Sequence, residues 1–210
     1  MTLARCFRYL LVPCALLVVS GAGRDAVLRA QESSAASAAR AVVKTHTYVS
    51  LDPVPRGKEF QVAVVVDINE AYHMNSHKPL DSYLIPTTLT PKFPAGFKLI
   101  DTVYPNGHNK KFPFSPDKPL NVYSGKVTLR MRVSAQASAP IGTTPLPITL
   151  RYQACNNSAC LPPVRVLVNA QVRVAGARTK GREVHPDIFS QASSPHKSRL
   201  PFEVRAEDLQ

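Results

Sequence analysis

The chain of 210 residues has no tryptophan, four cysteines and nine glycines, and several kinds of segment are missing altogether. The apolar run Tyr9 to Val19 is eleven residues, well short of the roughly 20 that a membrane span needs. No later segment comes closer, so the mature protein is expected to be soluble. No stretch carries the three-and-four apolar spacing of an amphipathic helix. There is no Gly-x-Ser-x-Gly and no prominent pair of carboxylates, which leaves hydrolytic catalysis without a motif. Basic residues outnumber acidic ones, 26 to 14, for a net charge of +12. They are scattered, with Lys110-Lys111 the one adjacent pair, whereas nucleic-acid binding calls for a concentrated basic footprint. The charge therefore reads as solubility with mild attraction to acidic surfaces.

What is present begins with an export signal. Arg5 and Arg8 precede the apolar run, and the small residues Ser20-Gly-Ala-Gly23 follow it, the order of a secretory leader. Residues 1–30 are read as that signal peptide, cleaved after Ala22 or Ala30. Cutting after Ala30 would leave 22 basic and 13 acidic residues, a charge of +9. A lipoprotein reading of Cys14 is disfavoured, because Pro13 stands where a small residue is expected and the apolar run continues past the cysteine. Cys6 and Cys14 leave with the signal, so the mature chain keeps Cys155 and Cys160 in a periplasmic or secreted setting where pairing is the default.

Residues 31–41, containing Gln-Glu-Ser-Ser-Ala-Ala-Ser-Ala-Ala-Arg, read as a low-complexity linker. From Val42 to Ala175 the chain reads as strands. Lys58 to Ile68 is β-branched and nearly continuous, suited to a buried central position. In Lys126 to Val133 the residues Val127, Leu129, Met131 and Val133 alternate inward against a polar outer face. Tyr83 to Thr90 is read as a strand with Pro86 at an edge or bulge, Ala71 to Leu80 as a polar loop, and Tyr104 to Pro119 as a long Pro-rich loop. Residues 176–210 lack periodicity and read as a flexible tail. Turn signals at 8–12-residue intervals and no helix predict an all-β fold, an immunoglobulin-like sandwich of about seven to nine antiparallel strands.

The chain's chemistry concentrates at Arg151-Tyr-Gln-Ala-Cys155-Asn-Asn-Ser-Ala-Cys160-Leu-Pro-Pro163. Apolar-alternating runs flank an Asn/Ser loop, a hairpin signature. In it the two cysteines can lie opposite one another, Cα atoms about 4.5–5.5 Å apart, within disulfide reach. A bond closing so short a loop adds only about 2 kcal/mol in the chain-entropy model, so it can open without unfolding the domain. Strained or exposed disulfides also have the higher potentials of the exchanging class. Spacing alone leaves a local staple, redox exchange, metal binding and free thiols open.

Tyr152-Gln-Ala-Cys155, Cys160-Leu-Pro-Pro163 and Tyr123-Ser-Gly-Lys126 resemble the N-terminal periplasmic domain family of the thiol:disulfide interchange protein DsbD. The segments Tyr72-His-Met-Asn75 and Tyr83-Leu-Ile-Pro-Thr87 are similar to a stretch in DsbD-like domains. The resemblance covers roughly Val42 to Val174. It implies an immunoglobulin-like domain with one redox-active pair that accepts two electrons and passes them to thioredoxin-like periplasmic partners. It further implies that Cys160 forms the mixed disulfide, that Cys155 resolves it, and that Tyr123 caps the pair. Family acidic residues before the cap fall on Asn121 and Val122, and family tyrosines near the cysteines on His73 and Asn75. His73 could supply acid/base capacity there, with Tyr72 beside it in the pocket. The chain ends where that family's best-known protein continues into a membrane electron channel, so a separate membrane electron donor is expected. The domain is expected to work as a monomer, as a protein-disulfide reductase-type component, without a cofactor or metal.

The rival readings are concrete. A Cys₂His₂ zinc set from His73, His77 and the two cysteines would need its ligands in an unusual order. Copper handling through Met74, His73, His77 and the thiols has suitable soft ligands but no dense cluster. A secreted β-sandwich binding module with a structural hairpin bond is the main alternative.

Overall fold

The computed structural model describes residues 37–190. A helical turn, α1, spans 37–41. Fourteen strands follow: β1 Val43–Val49, β2 Leu51–Asp52, β3 Val54–Pro55, β4 Lys58–Ile68, β5 His73–Asn75, β6 Thr88–Pro91 and β7 Phe97–Val103. Then come β8 His108–Phe112, β9 Ser115–Tyr123, β10 Lys126–Ala135, β11 Gly142–Tyr152, β12 Ala154–Cys155, β13 Val164–Ala175 and β14 Arg182–Glu183. A short helix, α2, closes the described chain at Pro186–Phe189. Nine of the strands have four or more residues, in line with the expected number. No helix among the described residues is long and apolar enough to cross a membrane.

Two four-stranded sheets, β1-β4-β10-β7 and β3-β13-β11-β6, form an immunoglobulin-like sandwich. Strand alternation fills its core. Val62, Val64 and Val66 of β4 and Leu129, Met131 and Val133 of β10 meet Leu146, Ile148 and Leu150 of β11 and Val168, Ala170 and Val172 of β13. As expected, β4 is central, between β1 and β10. Its other face buries Ala63 and Val65 as well, which is why its sequence is apolar almost throughout. A third sheet, β12-β5-β9-β8, sits on this sandwich.

Several expectations are corrected. The supposed linker contributes Ala39 to the core; a small residue on one helical face suffices for that, and composition alone does not reveal it. In the supposed tail, β14 pairs with β2, and His185 packs edge-on against Tyr48 with ring centroids 5.0 Å apart. A two-residue ladder has no sequence period to detect. Residues 191–210, the signal peptide and its cleavage sites lie outside the described residues. Tyr83 to Thr87 is not strand; β6 starts only at Thr88, after Pro86, which has no N–H to give a ladder. The supposed loop Tyr104 to Pro119 instead contains β8 and most of β9, paired with a register shift between Lys110 and Phe112. Irregular pairing of that kind tolerates prolines and hides the strand pattern.

The fold is tied at the entry of the cysteine segment by Tyr152, whose buried hydroxyl donates to the Ala39 carbonyl at 2.7 Å. Burial pushes this phenol up to about 12. Tyr152→Phe should cost about 1–3 kcal/mol by leaving that carbonyl unsatisfied, read as a lower urea midpoint. Because the folded phenol holds its proton longer than an unfolded one, its contribution is complete below pH 10 and declines as pH rises toward 12. The phenylalanine variant should lack that alkaline decline.

Candidate functional site

The β11–β13 ladder runs unbroken from Gly142 opposite Val174 to Tyr152 opposite Val164. The residues between, 153–163, leave that ladder. β12 joins the third sheet by pairing Ala154 with Met74 and Cys155 with His73. Within the excursion the turn is tight. Asn156 N–H donates to Ala159 O at 3.0 Å, while Asn156 Oδ1 accepts the N–H groups of Ser158 and Ala159 at 2.8 and 2.9 Å. Asn favours such side-chain-closed turns. Cys155 and Cys160 then face one another as an antiparallel bridge and are joined, S–S 1.97 Å and Cα–Cα 3.9 Å. The cysteines thus oppose each other as anticipated, at a shorter Cα separation. They close a small loop set into a third sheet and not the sandwich hairpin itself.

Gln153 holds the base of the loop. Its Nε2 donates to Leu161 O at 3.3 Å, and its Oε1 accepts from Asn75 Nδ2 at 3.1 Å and Ile85 N–H at 3.3 Å. Asn75 also donates to Ile85 O at 3.2 Å, and its Oδ1 is buried without a protein partner. Asn75 is therefore a fastener between the cysteine loop and the 81–86 turn. Nothing in the spacing of Gln153 and Asn75 announced this, since the contact spans 78 residues.

The two sulfurs differ in access. Cys155 is 0% exposed and packs with Leu84, Phe112, Leu120 and Val122; Cys160 rests against that cluster and is half-buried. One cysteine is sealed and its partner reaches the surface.

Strand alternation also decides which expected residues reach the disulfide. His73 is the register partner of Cys155, and cross-strand partners share a face with Cβ atoms about 5 Å apart. It is 8% exposed, its Nε2 lies 2.8 Å from Lys110 Nζ, and its ring meets Phe112 edge-on at 5.4 Å. Burial first, then the charges of Lys110 and His108, hold its pKa below the ordinary 6.5. Tyr72 packs instead against the main core. Tyr123 is corrected as the cap. Being one residue beyond Val122, it turns to the opposite face, where its hydroxyl donates to Pro105 O at 2.9 Å and accepts from His77 N–H at 3.1 Å. The aromatic cover over Cys155 is Phe112, with Phe114, 40% exposed, stacked upon it at 5.2 Å. The signal for it was two phenylalanines at the tip of an otherwise polar, Pro-rich segment.

The zinc and copper sets are not assembled. His77 stacks on Tyr104 at 3.6 Å and its Nδ1 bonds Thr87 O at 3.0 Å, beside Tyr123 and on the far face from His73. Among the described residues no three His, Cys, Asp or Glu side chains are grouped to hold an ion.

The profile of the family described as thiol:disulfide interchange protein DsbD, N-terminal, matches residues 39–171. The chain belongs to this family. It carries a DsbD-type N-terminal thiol–disulfide interchange module, and the resemblance of its cysteine segment is accounted for. Solved structures similar to the chain include the reduced DsbD N-terminal domain of Neisseria meningitidis, at 21% identity over 60% of this chain and 86% of that one, TM-score 0.36. The N-terminal periplasmic domain of ScsB from Proteus mirabilis is similar at 11% identity over 60% of this chain and 46% of that one, TM-score 0.40. No curated protein matches the chain at a significant level.

The depressed His73 basicity sets a pH dependence. Below the ordinary value of 6.5 the unfolded histidine takes a proton that the folded one resists, so stability is full above that pH and falls as pH drops below it. Urea midpoints on either side of that value should fall further for the wild type than for His73→Gln, which cannot titrate there.

Proposed function

We propose that this DsbD-type domain exchanges two electrons with thioredoxin-like periplasmic proteins through the Cys155–Cys160 pair. The observation that carries the reading is the unequal access of the two cysteines across a bond whose loop contributes little to folding. A partner thiolate attacks Cys160 Sγ, the S–S bond breaks, and its electron pair remains on Cys155 Sγ. A second partner thiol then attacks the partner's own sulfur in the mixed disulfide and releases Cys160, which takes up a proton. The partner is left oxidised and this domain reduced by two electrons. Running in reverse, Cys160 attacks an oxidised partner and Cys155 resolves the mixed disulfide.

The surroundings suit this chemistry. Phe112 packs in the cluster around Cys155 and Phe114 stacks on it, an aromatic cover that would hold off stray oxidants and shift when a partner docks. Exposed Tyr83 and Leu80, next to Leu84 of the Cys155 cluster, offer further apolar contact, of the aromatic kind that anchors interfaces. A membrane electron donor upstream completes the proposed route.

Cys160→Ser should abolish exchange with a thioredoxin-like dithiol, and Cys155→Ser should accumulate mixed disulfides, both read on non-reducing gels. Retained electron transfer in both variants would sink the mechanism. A reduction potential below about −300 mV would favour a permanent staple in a binding module.

A further inference from the structure

The disulfide's face of the third sheet holds a second feature besides the sulfurs. Lys110 Nζ lies 2.8 Å from His73 Nε2 and 5.6 Å from the centre of the Phe112 ring, the ring that also shields Cys155. None of the ion pairs among the described residues involves Lys110. His73 Nδ1 is buried and has no protein partner.

An ammonium group has three donors and no acceptor. At 2.8 Å from Lys110, Nε2 must therefore accept, which leaves the ring's proton on Nδ1. The direction of the His73 shift agrees with a neutral ring. Nδ1–H is then a buried donor with nothing to donate to, a costly condition in a folded protein. The groups facing the ring from neighbouring elements are Lys110 and His108 of β8, Phe112 at the end of that strand, and Cys155 of β12. Of these, Cys155 alone can become a negatively charged acceptor, and it does so when the disulfide opens.

We propose that Lys110 is a positioning residue for thiol exchange: it holds His73 as the Nδ1–H tautomer, and the two together stabilise the Cys155 thiolate. The proposal rests on the interchange reading above and adds what makes Cys155 the leaving sulfur. When a thiolate attacks Cys160 Sγ, the electron pair of the broken bond stays on Cys155 and no proton need be delivered to it. Only Cys160 takes up a proton on release. Where Cys155 stays ionised, reduction thus consumes two electrons and one proton, so its potential varies with pH half as steeply as for an ordinary dithiol.

The test begins with Cys155 in the Cys160→Ser protein, titrated by thiolate ultraviolet absorbance and by its alkylation rate with iodoacetamide. Neither readout requires exchange with a partner. Cys155 should ionise clearly below the ordinary thiol value of about 8.5. Adding Lys110→Met should cut the thiolate fraction near neutral pH about tenfold, and Lys110→Arg, which keeps charge and donors, should restore most of it. With both Cys155 and Cys160 in place, the same tenfold loss should appear against glutathione as a potential lower by about 30 mV. Nitrogen-15 shifts of the wild-type His73 ring should show the proton on Nδ1; this reading stands even if Lys110→Met fails to fold. A proton on Nε2, or a Cys155 titration unmoved in folded Lys110→Met, overturns the proposal. Failure of the interchange reading looks different: Cys155 would still respond to Lys110 while the wild-type pair transferred nothing to thioredoxin-like dithiols.

Discussion

The two-residue period of β5, β9 and β12 sorts every side chain at this end of the molecule onto one of two faces. Ala154, Met74 and Tyr123 stand side by side and belong to the sandwich core. Cys155, His73, Asn75 and Val122 stand on the other side. Because a strand cannot place neighbouring side chains on one face, the redox pair is kept apart from the large core that stabilises the fold. Opening the bond therefore disturbs a satellite cluster of five buried residues and leaves the sandwich packing alone.

That separation depends on the β11–β13 ladder holding its register up to the point where the cysteine segment departs. Its last pair, Tyr152 with Val164, marks where the chain leaves that ladder, and Gln153 then clamps the excursion to Leu161, Asn75 and Ile85. The loop is thus rigid at its base and tight at its turn. A site that must present one sulfur and withhold the other needs such support, since half an ångström of looseness would blur the distinction.

The electrostatics of the site are cationic: Lys110 and His108 flank His73, and no ion pair among the described residues places a carboxylate on Lys110. Positive charge beside a cysteine favours its thiolate. The structure sets Lys110 of β8, across the intervening β9, against His73 of β5.

How much could be read in advance follows from how local each signal is. Alternation in β10, the continuous apolar run of β4, and turn residues at regular spacing are local, and they determined the all-β sandwich. The cysteine spacing and its Asn/Ser turn determined that the sulfurs could join. The resemblance of the flanking residues pointed to thiol–disulfide interchange. The third sheet was invisible, because β5 and β12 are two or three residues long, β9 is interrupted by proline and the polar β8 pairs with it through a register shift; short ladders borrow their stability from neighbours. Tertiary structure alone decided that Phe112 and not Tyr123 covers the bond, that Cys155 is sealed while Cys160 is not, and that Lys110 reaches His73. Each is a matter of which face a residue takes in a pairing between distant segments, and register of that kind is set by packing, not by the order of residues along the chain.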